Sequence, residues 1–299
     1  MEGKRFMNNV LVIGGDKRFL YLSRILEEKD CHVRNFGIDA KKEEYDMESF
    51  EDEVKRADVI ILPIPYTKDG ITVNTPLCDE CLYLSKIYTN VKADALIFGG
   101  VVGERFLPPE NLNFYDYAKR DDFAYLNAVP TAEGAIEAVM KHMPGTVLGS
   151  NALVTGFGKC AKILSFTLKS LGANVTVCAR RSSDLSFARA LGMNGVRISK
   201  MKNHLGTADV IFNTVPHIIF GKEELKLIRK ECPLADIASL PGGADKVLAQ
   251  REGVNYLFLP GIPGKYSPSK GAQIILETIE NISEEMGKEG KLWNLSEKG

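Results

Sequence analysis

The residues best suited to chemistry in this chain are the small ones of Gly156-Phe157-Gly158-Lys159-Cys160-Ala161, spaced as G-x-G-x-x-A. An apolar run, Leu153-Val154-Thr155, precedes them, and Ala161, Leu164, Leu168 and Leu171 follow at helical spacing. Strand, glycine turn and helix in that order make a pyrophosphate site. Gly156 permits the tight turn, Gly158 lets backbone N–H groups approach the ligand, and Ala161 keeps the helix close to the sheet. The diphosphate then rests on the helix N-terminus, beside Lys159 and Cys160, where unsatisfied N–H groups and the helix dipole favour an anion. The same spacing in a purely structural turn is common, but here a second strand, Val175-Thr176-Val177-Cys178, completes the unit.

About twenty residues past the glycines, an NAD site carries an acid that accepts from the ribose 2′-OH. This chain has Ala179-Arg180-Arg181-Ser182-Ser183 instead. Guanidinium and hydroxyl groups there can bind a 2′-phosphate, so NADP is expected and NAD less so; the alternative is that the arginines are solvated loop charges. Thr214-Val215-Pro216 and Ala238-Ser239 lie just past later strands, where open α/β sheets bind ligands, and are expected beside the nicotinamide and its ribose. Cys78 and Cys81 form a C-x-x-C pair with no second pair or His cluster, so no metal site is expected.

The elements that must position these residues repeat. Val10-Leu11-Val12-Ile13, the Gly14-Gly15-Asp16 turn and the helical spacing of Phe19, Leu22, Ile25 and Leu26 open a first βα unit. Thr207 to Pro216 echoes Arg56 to Pro65, with A-D-V-I and a proline after the strand in both, and Ala235 to Gly243 echoes Asp94 to Gly100. The pattern predicts an α/β protein of two doubly wound parallel-sheet domains, Rossmann-like, with a connector helix between them. The expected boundaries are 1–130 for a substrate domain, 131–145 for a connector helix opening after Pro130, 146–266 for the dinucleotide domain, and 267–299 for a C-terminal helix. Ser267-Pro268 reads as its N-cap and first position, and Ala272, Ile275, Ile279, Ile282 and Met286 make a face that can return to the first domain, followed by a loosely ordered tail from Lys288.

At 299 residues, 44% hydrophobic and 26% charged, with a formal net charge of −1, the chain has the balance of a soluble two-domain protein. That balance gives no electrostatic footing for nucleic acid or acidic lipid. No apolar stretch reaches the roughly 18 residues of a membrane span, and none follows Met1 as a secretory signal would, so a cytoplasmic location with reduced cysteines is expected.

The set G-x-G-x-x-A, A-R-R-S, N-T-V-P, A-S-L-P-G-G and P-G-I-P-G-K-Y-S-P resembles the A subunits of dipicolinate synthase, as do I-G-G-D-K-R and the Asn127–Ile136 run N-A-V-P-T-A-E-G-A-I. The resemblance spans nearly the whole chain. It implies the final oxidation that makes pyridine-2,6-dicarboxylate from a dihydro or hydroxy-tetrahydro precursor, partnership with a flavoprotein-like B subunit, and work in a sporulating cell; a homo-oligomer is expected besides. Alanine dehydrogenases share the plan but carry an acid before the final Gly-Gly pair, where this chain has Leu240.

Such a reaction moves one hydride to NADP+, removes one proton, and needs cations to hold two carboxylates. Arg18, Lys265 and Lys68 are the candidate cations, and His217, Tyr266 or Ser267 the candidates for proton transfer. Each has a plain reading as a surface group. Thr131 and Glu133 are expected at the start of the connector helix, whose N–H groups would face a substrate carboxylate at an interdomain cleft, with Glu133 equally suited to capping. A 2-hydroxy or 2-amino acid dehydrogenase, or a non-catalytic NADPH-binding regulator, remains open from the residues alone.

Overall fold

The computed structural model describes residues 9–38, 47–79, 81–101 and 106–287. The chain divides into two compact units, Met1–Ala124 with Ser267–Gly299, and Tyr125–Tyr266. The tail from Lys288 lies outside the described residues.

In the first unit β1 (Asn9–Ile13), α1 (Lys17–Glu28), β2 (His32–Phe36), α2 (Met47–Arg56), β3 (Val59–Ile61), α3 (Leu84–Asn90), β4 (Leu96–Gly99) and β5 (Phe114–Asp116) follow one another. The strands form one parallel sheet in the order β2-β1-β3-β4-β5. Val10 to Ile13 and Val59 to Ile61 are buried at every position, as expected for strands covered on both faces. The strand order reverses between β1 and β3, so ligands are expected beyond their carboxyl ends.

Helix α4 (Asp121–Met140) leads into the second unit. There β6 (Asn151–Thr155), α5 (Lys159–Ser170), β7 (Asn174–Ala179), α6 (Ser182–Ala190), β8 (Asn194–Arg197), α7 (Lys202–Leu205), β9 (Val210–Asn213), α8 (Lys222–Leu227), β10 (Pro233–Asp236), α9 (Lys246–Arg251), β11 (Asn255–Phe258) and α10 (Ile262–Tyr266) build a parallel sheet ordered β11-β10-β9-β6-β7-β8. This is the Rossmann order, with its switch point between β6 and β9. Side chains alternate between two cores. Ala152, Val154, Val177 and Phe212 face one, Leu153, Cys178 and Ile211 the other. Each buried Val, Leu or Ile contributes about 1.5–3 kcal/mol, which makes a one-residue slip of any central strand prohibitive.

Two expectations are corrected. The connector helix does not open after Pro130: it begins at Asp121 and carries Pro130 inside it, with Ala128 and Ala132 buried on either side. A proline normally marks a helix boundary, but packing of this face overrides that bias. The stretch Pro260-Gly261-Ile262-Pro263-Gly264, whose composition predicts a loop before Ser267, instead runs into the short helix α10, entered through Gly261 at φ +66°.

The last helix, α11 (Pro268–Glu285), belongs to the first unit and packs along α1. Ala272, Ile275, Ile279 and Ile282 are buried on its inner face, and Lys29–Glu280 (2.9 Å) and Asn281–Asp122 (3.0 Å) tie its rim. Ile279→Ala is expected to destabilise the protein by about 3 kcal/mol, whereas Glu277→Ala on the exposed face changes it by less than about 0.5 kcal/mol. Urea unfolding followed by circular dichroism measures both; equal effects would contradict this packing.

Candidate functional site

The carboxyl edge of the second sheet gathers the residues singled out for a dinucleotide. Gly156, at φ +89°, turns the chain out of β6, and its N–H donates to the Cys178 carbonyl at 2.9 Å. A Cβ there would lie 2.4 Å from Thr214 Oγ1, so only glycine lets the β9 loop close over this turn. Thr214 locks that approach, its backbone N–H and Oγ1 both donating to the Thr155 carbonyl (3.1 and 2.8 Å). Gly158 differs: its φ of −73° suits any residue, and a Cβ would meet nothing within 4 Å. The open space there, over a helix N-terminus that no side chain caps, suits a pyrophosphate. Ala161 is fully buried against the sheet.

Lys159 Nζ sits 5.8 Å from the Tyr125 ring centre, and Lys162 Nζ 5.9 and 5.5 Å from those of Phe157 and Phe187. Both ammonium groups therefore stand in the first turn of α5 with aromatic faces beneath them. Burial pushes the Cys160 thiol up to about 11, so this cysteine is a neutral wall of the site rather than a nucleophile.

At the end of β7 the Arg181 guanidinium grips Asp184 in a two-pronged pair (2.8 and 3.1 Å), which holds the Arg181 pKa above its ordinary value. Asp184 lies just past the run that reads as free of acids, and its partner masks it. Arg180 is exposed, and Ser182 begins α6. Arg197, at the end of β8, is not among the residues that sequence spacing singles out. Its register opposite Ala179 brings it to this turn.

Beneath the loops lies a buried polar network that sequence spacing does not reveal either. The Asp236 carboxyl accepts from Asn213 Nδ2 (2.8 Å) and Ala238 N (3.1 Å) on one oxygen and from Gly243 N (2.6 Å) and Tyr256 OH (2.7 Å) on the other. Asn213 Oδ1 accepts in turn from Thr155 Oγ1 (2.7 Å) and Val215 N (3.1 Å). Burial and the bond to Asp236 raise the Tyr256 phenol well above its ordinary range. The network sets the Thr214–Pro216 and Ala238–Gly243 segments as one surface, with Ala238 buried and Ser239 and Pro216 exposed.

The candidate catalytic and substrate residues are not brought together in this way. His217 and Lys265 are exposed in the second unit, and Ser267 caps α11 in the first without a side-chain capping bond. Thr131 and Glu133 are not at a helix start: they stand inside α4, where Thr131 Oγ1 donates to the Asn127 carbonyl (2.6 Å) and Glu133 is exposed. Their expected role at an open helix N-terminus is therefore withdrawn, because the N–H groups there are engaged in the helix. In the first unit, Arg18 is 7% exposed and forked onto Asp16, both bonds 2.9 Å, at the turn after β1. Lys68 is exposed after β3 beside Asp69, whose carboxylate accepts from the Ile71 and Thr72 N–H groups and is thereby held far below its usual range. The two cations follow β1 and β3, the strands between which the order of their sheet reverses. Among the described residues no three His, Cys, Asp or Glu side chains converge as metal ligands, and no helix is long and apolar enough to cross a membrane.

Residues 9–107 match the family model of the N-terminal domain of the dipicolinate synthase A subunit. The dipicolinate synthase A subunit of Bacillus subtilis (strain 168) is 30% identical over 291 residues, spanning 94% of this chain and 98% of that protein. The crystal structure of the A subunit from Bacillus halodurans superimposes with a TM-score of 0.82 at 29% identity, covering 94% of this chain and 99% of that one. The crystal structure of its Bacillus subtilis counterpart gives 0.80 at 28%, covering 96% and 99%.

The two glycines make separable predictions. Gly156→Ala is expected to cost about 2 kcal/mol or more through its backbone angle and the Thr214 clash. Gly158→Ala should cost no more than about 1 kcal/mol yet weaken dinucleotide binding roughly tenfold. Denaturant unfolding and NADPH fluorescence titration read the two effects; undiminished binding by Gly158→Ala would contradict the placement. Asp236→Asn, which offers one acceptor oxygen to four donors, is expected to cost about 3 kcal/mol by the same unfolding measurement.

Proposed function

The chain belongs to the family of dipicolinate synthase A subunits, and from that premise we propose that it is an NADP-dependent oxidoreductase forming pyridine-2,6-dicarboxylate from a partly saturated precursor. The observation that carries this reading is the uncapped, open N-terminus of α5 at Gly158, with basic groups of the β7–α6 turn on the adenosine side.

Gly158, Lys159, Cys160 and Ala161 would hold the pyrophosphate through backbone N–H groups, and Arg180, Arg181 and Ser182 a 2′-phosphate. Thr214, Val215, Pro216, Ala238 and Ser239 would border the nicotinamide half. When bound there, the nicotinamide supplies the hydride acceptor. Arg18, already oriented by Asp16, has two prongs engaged with that acid and Nη1 without a hydrogen-bond partner among the described residues, so it can still bind one carboxylate. Lys68, on a turn stiffened by Asp69, is the second cation in this reading. Lys265 is a further candidate cation, and His217, Tyr266 or Ser267 would take the proton; because forming the aromatic ring drives the step, a modest base suffices. Relatives named as one subunit of a synthase support a companion chain, proposed here to be flavoprotein-like and to play the B role. The reading places the protein in the cytoplasm as a homo-oligomer.

The test mixes the protein with NADP+, a cyclic dihydropyridine dicarboxylate, or its hydroxy-tetrahydro form, which loses water before the oxidation, and the companion chain, following NADPH and pyridine absorbance together. Equal formation of both, lost when this chain is omitted, is expected. NADP+ binding without turnover in the complete mixture would instead make the protein a nucleotide-binding regulator. Arg18→Ala is expected to raise KM for the dicarboxylate roughly tenfold with NADP+ binding unchanged; steady-state kinetics against titration checks it.

A further inference from the structure

Arg197 ends β8 at the surface, and its side chain crosses to the turn after β7. Nη1 donates to the Arg180 carbonyl at 2.9 Å and Nη2 to Ser182 Oγ at 2.7 Å. These bonds do two things to the ground on which a phosphate would sit. The Arg180 carbonyl, an oxygen that would repel an anion, is covered by a cation. Ser182 Oγ accepts rather than donates, which leaves its hydroxyl hydrogen to point elsewhere.

A guanidinium has five N–H donors and Arg197 has used two, so three remain for a ligand. Arg181, the residue that sequence spacing favours for this task, has its fork occupied by Asp184. A groove of about 360 Å³ opens along α6, β8 and α7, lined by Ser182, Arg189, Arg197, Lys200 and His204 among others, and no carboxylate is among its lining residues. Arg197 thus stands beside the first turn of α6, whose dipole also favours an anion, with Arg189 in the last turn of that helix and Lys200 elsewhere along the groove.

On the NADP reading proposed for this chain, we infer that Arg197 is the residue that discriminates NADP from NAD. It binds the 2′-phosphate jointly with the Ser182 hydroxyl and takes the leading part there, because Asp184 already engages the fork of Arg181. An uncharged 2′-OH offers the three remaining guanidinium donors one neutral oxygen in place of a charged phosphate, so the residue contributes far less to NAD.

Calorimetric titration of wild type, Arg197→Ala and Arg197→Lys with NADP+ and with NAD+ tests this. Wild type is expected to favour NADP+, Arg197→Ala to weaken NADP+ roughly ten- to a hundredfold with NAD+ changed less than about twofold, and Arg197→Lys to fall between, keeping charge without the fork. Wild type that binds NAD+ as well as NADP+ defeats the NADP reading itself. Wild type that favours NADP+, with Arg197→Ala keeping that preference or losing both nucleotides equally, overturns only the role of Arg197. Should Arg197→Ala melt early by circular dichroism, Arg197→Lys decides: an undiminished preference overturns the inference.

Discussion

A buried carboxyl group with no cation beside it is tolerable only if donors surround it, and Asp236 meets that constraint with four. The donors come from β9, from both ends of the Ala238–Gly243 segment after β10 and from β11, so satisfying one side chain ties these pieces to β10. Gly243 has no Cβ because Asn213 occupies that space, 2.3 Å away. Thr214, held to β6 by two bonds to the Thr155 carbonyl, then presses on Gly156, which must adopt a left-handed backbone. The shape of the ledge at the sheet's carboxyl edge therefore follows from burying Asp236.

The ledge and its rim do different physical work. Its middle is made of backbone: the bare N-terminus of α5, glycine where a ligand must come close, and a thiol kept neutral by burial. Its rim at the β7–α6 turn is made of charge, exposed and salt-sensitive, with one acid already paired. Backbone donors recognise any diphosphate, whereas guanidinium groups sort nucleotides by what the ribose carries. In the first unit Arg18 shows the opposite arrangement, a buried cation held stiff by its own acid, which orients it but occupies part of its donor set.

Much of the fold was legible because parallel strands announce themselves. Val10–Ile13, Val59–Ile61 and Val210–Asn213 are near-continuous apolar runs closed by glycine or proline, and the dinucleotide turn is local in sequence. What escaped depended on partners distant in the chain. Nothing near Pro130 reveals that its neighbours are packed tightly enough to keep a proline inside α4. Asp236 and Tyr256 are twenty residues apart, and nothing local in the sequence pairs them until the sheet sets them at 2.7 Å. Arg197 becomes visible only through its register opposite Ala179; a search for basic residues at the end of the third strand, and not only the second, would have found it.

The most direct measurement of the central claim is a crystal structure grown with NADP+. The diphosphate is expected on the N–H groups at the start of α5, over Gly158, with the 2′-phosphate against the β7–α6 turn. A nucleotide lying anywhere else, or its adenosine end turned away from that turn, would contradict it.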